Sequence, residues 1–307
     1  MRSLITGITG FVGSHVAELL LQGGGEVLGS GYRGWHTDAP DRLTAAVELL
    51  RWDIREPAPA DVRQAVIDFN PDVVFHFAAI SIPALCGTDG PTEQAIAVNV
   101  HGTSHVLDLI EQLSGRPRLV FSSTCHVYGR VDRDSAVVPE TSQLDPISAY
   151  GETKLQCERE ILRRCSDDTI NATIARGFHH IGPRQPSGLM LTDWLEQLDD
   201  PEGHELHVRS TNSYLDMVDV RDAARAYETL ATKGHVAEVY NLGSGRTSNS
   251  GEVLRDLLSL VDRDFDVVAK SDDERWNTIA EISKLNSLGW EASIPYQRTL
   301  KDMLATA

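Results

Sequence analysis

The sequence predicts an α/β fold: a doubly wound parallel sheet with a smaller α/β lobe interleaved with it towards the C-terminus. Three observations lead there. Short β-rich runs alternate with helix-length amphipathic segments from the N-terminus to about residue 176. Several runs, Val73-Val74-Phe75 and Leu119-Val120-Phe121 among them, are apolar almost throughout, as strands are when both faces of a parallel sheet are covered. A glycine triplet follows the first run directly, where a strand must hand over to a helix.

The first strand spans residues 3–8, and a helix at 13–22 follows its glycines. Further strands fall at 26–30, 47–52, 72–77, 118–122 and 169–175, with helices at 60–69, 92–113 and 149–164 between them. In the last helix Leu155, Ile161 and Leu162 return at helical spacing. Strand, helix and strand repeated in this way imply right-handed βαβ units. Beyond residue 176 the pattern is broken by Gly182-Pro183, Pro186, Gly188, Pro201 and Gly203. A helix at 219–232 and a short strand at 239–242, ending in Gly243-Ser244-Gly245, then resume the order. Two more helices occupy 250–260 and 296–305. Residues 1–176 are thus expected to form the sheet domain, with about 214–245 returning to it. Residues 177–213 and 246–307 form a lobe that closes over a cleft. No internal repeat, low-complexity stretch or long linker interrupts the chain.

Composition narrows the function classes. At 307 residues the chain has ample core for one large domain or two small ones. A formal net charge of −17 argues against a nucleic-acid groove binder, because phosphate contacts need clustered Lys and Arg. A few local arginines could still hold a small anion. No apolar run is long enough to span a membrane, and MRSLITGITG reads as a first strand, not a leader. Cys86, Cys125, Cys157 and Cys165 form no Cys-x-x-Cys pair, which suits reduced thiols in a cytoplasmic enzyme. The histidines at 179/180 and 204/207 lack a second ligand set at zinc spacing, so no metal is expected.

Three motifs carry chemistry. Thr6-Gly7-Ile8-Thr9-Gly10-Phe11-Val12-Gly13 joins strand to helix with the glycine spacing of a dinucleotide site. Its glycines permit a tight turn and close pyrophosphate approach, and the helix N-terminus offers amide donors. Tyr150 and Lys154 stand four apart on one helix face, so the ammonium should favour phenolate and draw the phenol below about 10. Residues 122–129, SSTCHVYG, cluster hydroxyls at the mouth of a strand.

Together these motifs resemble the extended short-chain dehydrogenase/reductase family, which comprises NAD-dependent epimerases, dehydratases and sugar reductases. The landmarks run through the chain: TGITGFVG (6–13), WDI (52–54), HFAA (76–79), NVHGT (99–103), SSTCHVYG, YGETK (150–154), RGFHHIGPRQ (176–185), VDVRDAARAY (218–227), VYNLGSG (239–245) and LGW (288–290). FHHIGPRQ looks most like the reductases of GDP-4-keto-6-deoxymannose. The resemblance implies a Rossmann-type sheet domain and a role for each matching residue. Tyr150 would be the acid/base on a sugar oxygen, Thr124 would bond the same oxygen, and Lys154 would hold the nicotinamide ribose. Gly7, Thr9, Gly10, Phe11, Val12 and Gly13 would cradle the cofactor, with Asp53 and Ile54 along the adenine. Ala78 and Ala79 would line the cofactor, and Asn99 would support the site from behind. Ser81, His126, His179, Arg184, Arg209 and Arg275 are the expected substrate contacts. The family's usual homodimer would pair the helices at 92–113 and 149–164.

Departures from the pattern matter as much. Dehydratases of this family carry Glu two places after the catalytic Thr, and here that place holds His126. The second strand ends in Gly29-Ser30-Gly31-Tyr32-Arg33, with no acid for a ribose 2′-hydroxyl and an arginine beside it. The cofactor is therefore expected to be NADP or NAD, with the rim favouring NADP. Leu215 replaces the arginine that usually holds a substrate diphosphate, and His179 stands where the reductases carry Asn. Arg184, Arg209 or Arg275 would then supply the missing charge. The expected activity is hydride transfer at C4 of a nucleotide-linked hexose, by a 4-keto-6-deoxysugar reductase or, as the alternative, a 4-epimerase that retains NAD. A 4,6-dehydratase and a non-catalytic NAD(P) sensor stand behind these.

Overall fold

In a computed structural model, which describes residues 1–35 and 39–306, the apolar runs lie side by side as one seven-stranded parallel sheet. From one edge to the other its strands are Glu238–Leu242, Asn171–Gly177, Arg118–Thr124, Val73–His76, Arg2–Thr6, Glu26–Gly31 and Glu48–Arg51. Arg2–Thr6 pairs Leu4 with Leu28 on one side and with Val74 on the other, so the strand order reverses there. A reversal opens a crevice at the carboxyl ends of the strands, because successive helices leave in opposite directions.

Both faces of the sheet are covered, which is why its strands alternate so little in polarity. The helices Phe11–Gln22 and Val220–Lys233 cover one face through Val16, Leu20, Tyr227 and Leu230, all buried. The helices Gly102–Glu111 and Ala149–Ser166 cover the other through Leu107, Ile110 and Ile161. Each such side chain contributes about 1.5–3 kcal/mol by leaving water. Truncating Leu107 to Ala would cost about 2–5 kcal/mol, since the sheet cannot collapse into the gap.

The lobe has a core of its own, built from Leu191, Trp194, Leu206, Val208, Leu254 and Leu300 among others. Its central strand, Ser213–Asp219, pairs with Thr247–Asn249, Arg275–Trp276 and His179–Ile181. The return to the main sheet is therefore made by Val220–Lys233 and Glu238–Leu242 and begins after Asp219. Asp219 caps that helix by accepting from the Arg221 amide. The strand Glu205–Ser210 went unread among the glycines and prolines, although Leu206 and Val208 alternate inward between exposed neighbours.

One predicted helix is divided. Residues 92–113 form a short α-turn (Glu93–Ala95), a π-helical stretch (Ile96–His101) and an α-helix (Gly102–Glu111). A π-turn inserts one residue into the helix and re-aims a side chain inward, here Asn99. Among the described residues no helix is long and apolar enough to cross a membrane, and all four cysteines are free.

Candidate active site

The crevice at the strand reversal is a cleft of about 730 Å³, large enough for an extended ligand. It begins at the glycine turn. Gly7 has φ +71°, and a Cβ there would lie 2.6 Å from the Ala78 amide nitrogen. A Cβ on Gly13 would lie 2.4 Å from the Gly7 carbonyl oxygen. The turn thus leaves no room for side chains at either position, and the helix Phe11–Gln22 starts directly beneath the cleft. Such a cradle suits a pyrophosphate.

Thr6, just before this turn, is fixed from below. Thr103 donates its hydroxyl to the Asn99 carbonyl, so His76 must donate from Nε2 to Thr103 (3.0 Å) and accept from Thr6 at Nδ1 (2.6 Å). Burial, aided by the Lys154 charge, lowers His76 to about 3 and keeps it neutral in that relay. His76 is structural.

The stretch SSTCHVYG distributes its groups to both sides of the strand Arg118–Thr124. Ser122 pairs its hydroxyl with that of Tyr227 (2.8 Å), and its carbonyl accepts from Lys154 Nζ (2.8 Å). Ser123 points the other way and donates to Glu158, which also takes a two-pronged bond from buried Arg176. Tyr128 accepts from Arg176 and donates to Asn241. This buried network ties the strand mouth to the helix Ala149–Ser166 and to two neighbouring strands. Thr124 is left at the cleft, accepting from the His126 amide (3.3 Å).

Ser148 caps the helix Ala149–Ser166 through the Gly151 amide, and the first two turns deliver Tyr150 and Lys154 to the cleft. Lys154 Nζ lies 5.9 Å from the Tyr150 ring centroid. The expectation that Lys154 draws the phenol down is corrected here. Burial dominates and pushes Tyr150 well above the ordinary tyrosine value, and burial lowers Lys154 in turn. Burial thus favours the protonated phenol at Tyr150. Asn99, behind the cleft wall, bonds both polar groups of the Ile80 backbone and the Thr153 hydroxyl. It joins the cleft loop to the helix Ala149–Ser166.

At the far end, Ser30, Gly31, Tyr32, Arg33, Asp53, Ile54 and Arg55 form the rim. Asp53 is bound by Arg55, whose hydrogen bonds hold its carboxyl below the usual range, and Arg55 lies 5.5 Å over the Tyr32 ring. Arg33 is exposed beside them. Thr9, Gly10, Phe11, Val12, Ala78, Ala79 and Ser81 also line the cleft.

His126 and His179 both face the cleft. His126 stands edge-on to Tyr150 at 5.9 Å, with Nδ1 3.3 Å from the Ser148 hydroxyl. Burial, followed by the His179 and Arg275 charges, lowers it to about 4. His179 Nδ1 donates to the Asp216 carbonyl, which leaves Nε2 as an acceptor. Arg184 is not among the cleft-lining residues. Its guanidinium pairs with Glu18 at 2.7 Å beneath the glycine-turn helix, so it is spoken for as a phosphate ligand. Arg209 and Arg275 are exposed and are not among the cleft-lining residues. Sequence reasoning passed over Tyr227, Gln185, Leu189 and Met217, which line the cleft. Tyr227 sits within the VDVRDAARAY landmark, and its place two turns along a helix gave no hint of its bond to Ser122.

The fold and its glycine turn define a dinucleotide-binding class of protein, with Thr124, Tyr150 and Lys154 gathered in one cleft. The chain belongs to the NAD dependent epimerase/dehydratase family, whose model matches residues 3–243. A trifunctional UDP-glucose 4,6-dehydratase/UDP-4-keto-6-deoxy-D-glucose 3,5-epimerase/UDP-4-keto-L-rhamnose-reductase of Arabidopsis thaliana is 28% identical over 319 residues. That match covers 97% of this chain, but the chain spans only 46% of the plant protein. Among solved structures, RMD from Pseudomonas aeruginosa complexed with NADPH superposes with a TM-score of 0.83 at 23% identity, covering 99% and 98% of the two chains. The UDP-glucose 4-epimerase of Thermus thermophilus in complex with NAD gives 0.85 at 24% identity, covering 100% and 98%. These two likenesses speak to the fold.

Proposed function

We propose that this chain is an NAD(P)-dependent oxidoreductase that transfers hydride at C4 of a nucleotide-activated hexose, acting as a 4-keto-6-deoxysugar reductase. The observation that carries the reading is the convergence of the glycine turn, Thr124, Tyr150 and Lys154 on one cleft. A bound reduced nicotinamide supplies the hydride. Tyr150, kept protonated by burial, gives its phenolic proton to the carbonyl oxygen as the C–H bond forms. Thr124 donates a second hydrogen bond to that oxygen, and Lys154, anchored on Ser122, holds its charge nearby as phenolate develops.

Two features favour reduction over elimination. Asp53 is the sole carboxylate lining the cleft among the described residues, and it is tied to Arg55 at the opposite end. His126, in the place of the dehydratases' base, is neutral and lacks a partner acid. Among the described residues Asp53 is the one carboxylate at the rim, and it is paired with Arg55, while Arg33 closely follows the strand Glu26–Gly31; this supports NADP over NAD.

The decisive test is to denature the purified protein and identify any cofactor it releases. Protein that emerges empty and then binds NADPH tightly fits the reductase. Near-stoichiometric NAD would overturn it in favour of a 4-epimerase, which returns the hydride within one turnover and so keeps its cofactor.

A further inference from the structure

His179 and His180 are neighbours on the short strand His179–Ile181, and side chains alternate along a strand, so the two rings point to opposite faces. The register with Ser213–Asp219 fixes which face is which. His179 pairs with Met217, which lines the cleft from the lobe, and His180 pairs with Val218. Val218 belongs to the buried core that also holds Ile8 of the glycine turn and Val16 of the helix after it. His180 is therefore turned to the glycine-turn side of the cleft, and His179 to the lobe side.

On that side His180 lies at the reacting end. A Cβ on Gly177 would lie 2.7 Å from His180 Cε1, so the ring rests against Gly177, and Gly177 is the register partner of Thr124. The Tyr227 ring is its aromatic neighbour, at 6.3 Å.

The hydrogen bonding of this ring is half complete. Nδ1 lies 2.7 Å from the Phe178 carbonyl, which can only accept, so Nδ1 carries a proton. Burial is the largest cause that lowers the ring to about 4, so it is neutral and Nε2 is a bare acceptor. Nε2 is buried and has no partner among the described residues. The donors around it are committed. Tyr227 shares its hydroxyl bond with Ser122, His179 donates to the Asp216 carbonyl, and the Gln185 amide nitrogen donates to the His180 carbonyl at 3.3 Å. Gln185 Oε1 is then a second acceptor on the same loop that is buried without a partner. Both side chains line the cleft.

A buried acceptor without a donor costs free energy that a ligand's N–H or O–H recovers. Two neutral acceptors also repel a phosphate or carboxylate, so this part of the cleft suits an uncharged donor group. At the reacting end, the group of a nicotinamide dinucleotide that bears N–H is the carboxamide. We propose that His180 Nε2 accepts from the carboxamide amino group and so sets the rotation of the nicotinamide about its glycosidic bond. By holding the carboxamide, His180 selects which face of the ring turns towards Thr124 and Tyr150. The inference rests on the reading that the cleft takes a nicotinamide dinucleotide.

The test follows displacement of fluorescent NADPH or NADH by the oxidised dinucleotide carrying nicotinamide, thionicotinamide or 3-acetylpyridine. Thionicotinamide keeps the amino group, and 3-acetylpyridine has a methyl group in its place. The unaltered chain is expected to bind the thionicotinamide form within about threefold of the nicotinamide form, and the acetylpyridine form about tenfold more weakly. His180→Leu, which replaces the acceptor by an apolar group, should lose that preference. The nicotinamide form then weakens, while the acetylpyridine form stays within about twofold of its affinity for the unaltered chain. The comparison in the unaltered chain decides the matter even where the variant fails to fold. The proposal is overturned if the acetylpyridine and nicotinamide forms bind alike, if the thionicotinamide form weakens as much as the acetylpyridine form, or if His180→Leu keeps the full preference. A chain that binds all three alike keeps the dinucleotide reading; one that binds neither NADPH nor NADH loses it.

Discussion

Tyr150 and Lys154 illustrate how far single residues can be read. Their spacing placed them on one helix face, and the structure delivers both to the cleft. Their electrostatics did not follow from spacing, because burial raises Tyr150 and the Lys154 ammonium is bonded to the Ser122 carbonyl. Tyr150→Phe removes the proposed proton donor and little volume. Turnover should fall about a hundredfold or more, with cofactor affinity nearly unchanged. Steady-state kinetics beside a binding titration would check this, and wild-type turnover in the variant would void the assignment. Arg184 teaches the converse. Its charge made it a plausible phosphate ligand, but a charge visible in sequence says nothing of its partner, and here the partner is Glu18 from 166 positions earlier.

That pair acts at the scale of elements. The helix Phe11–Gln22 carries His15 and Glu18 on the side facing the loop after His179–Ile181. His15 Nε2 lies 2.9 Å from the Pro183 carbonyl, and Glu18 receives both Arg184 and Arg42. Burial pulls the Glu18 carboxyl upward, but the two arginines more than offset it and hold it below its usual range. The helix that starts at the glycine turn thus latches the loop whose Gln185, Pro186 and Leu189 line the cleft. Glu18→Gln weakens two charge-assisted hydrogen bonds, a loss of about 1–3 kcal/mol. The thermal midpoint should fall and the substrate KM rise while kcat changes little. A variant with both midpoint and KM unaltered would show that the loop is held by other means. Element reading from sequence did well where one period governed the segment. It failed at the π-helical stretch Ile96–His101, where an added residue per turn serves the inward placement of Asn99 and leaves no mark on apolar spacing.

Across the whole molecule, buried histidines set the response to acid. Burial is the largest cause at each of four: His15, His126 and His180 are lowered to about 4 and His76 to about 3. In the unfolded chain the same groups take protons near their ordinary value of 6.5. Below that value the unfolded state binds protons that the native state refuses, so stability must fall as pH drops. The loss should build from about pH 6.5 towards about pH 4. Thermal midpoints recorded between pH 7.5 and 5 should decline steadily; a flat or rising series would mean that these rings are not neutral in the fold.

The sequence by itself determined the parallel sheet, the glycine turn, the position of Tyr150 with Lys154, and the absence of a carboxylate at His126. All of these depend on neighbours within a few residues, where backbone geometry converts spacing directly into placement. Tertiary structure alone decided that burial raises the Tyr150 phenol, that Arg184 belongs to Glu18, and that Tyr227 reaches Ser122. Each of these joins segments distant in the chain. Burial and charge pairing depend on what the fold brings alongside, and local spacing does not encode that.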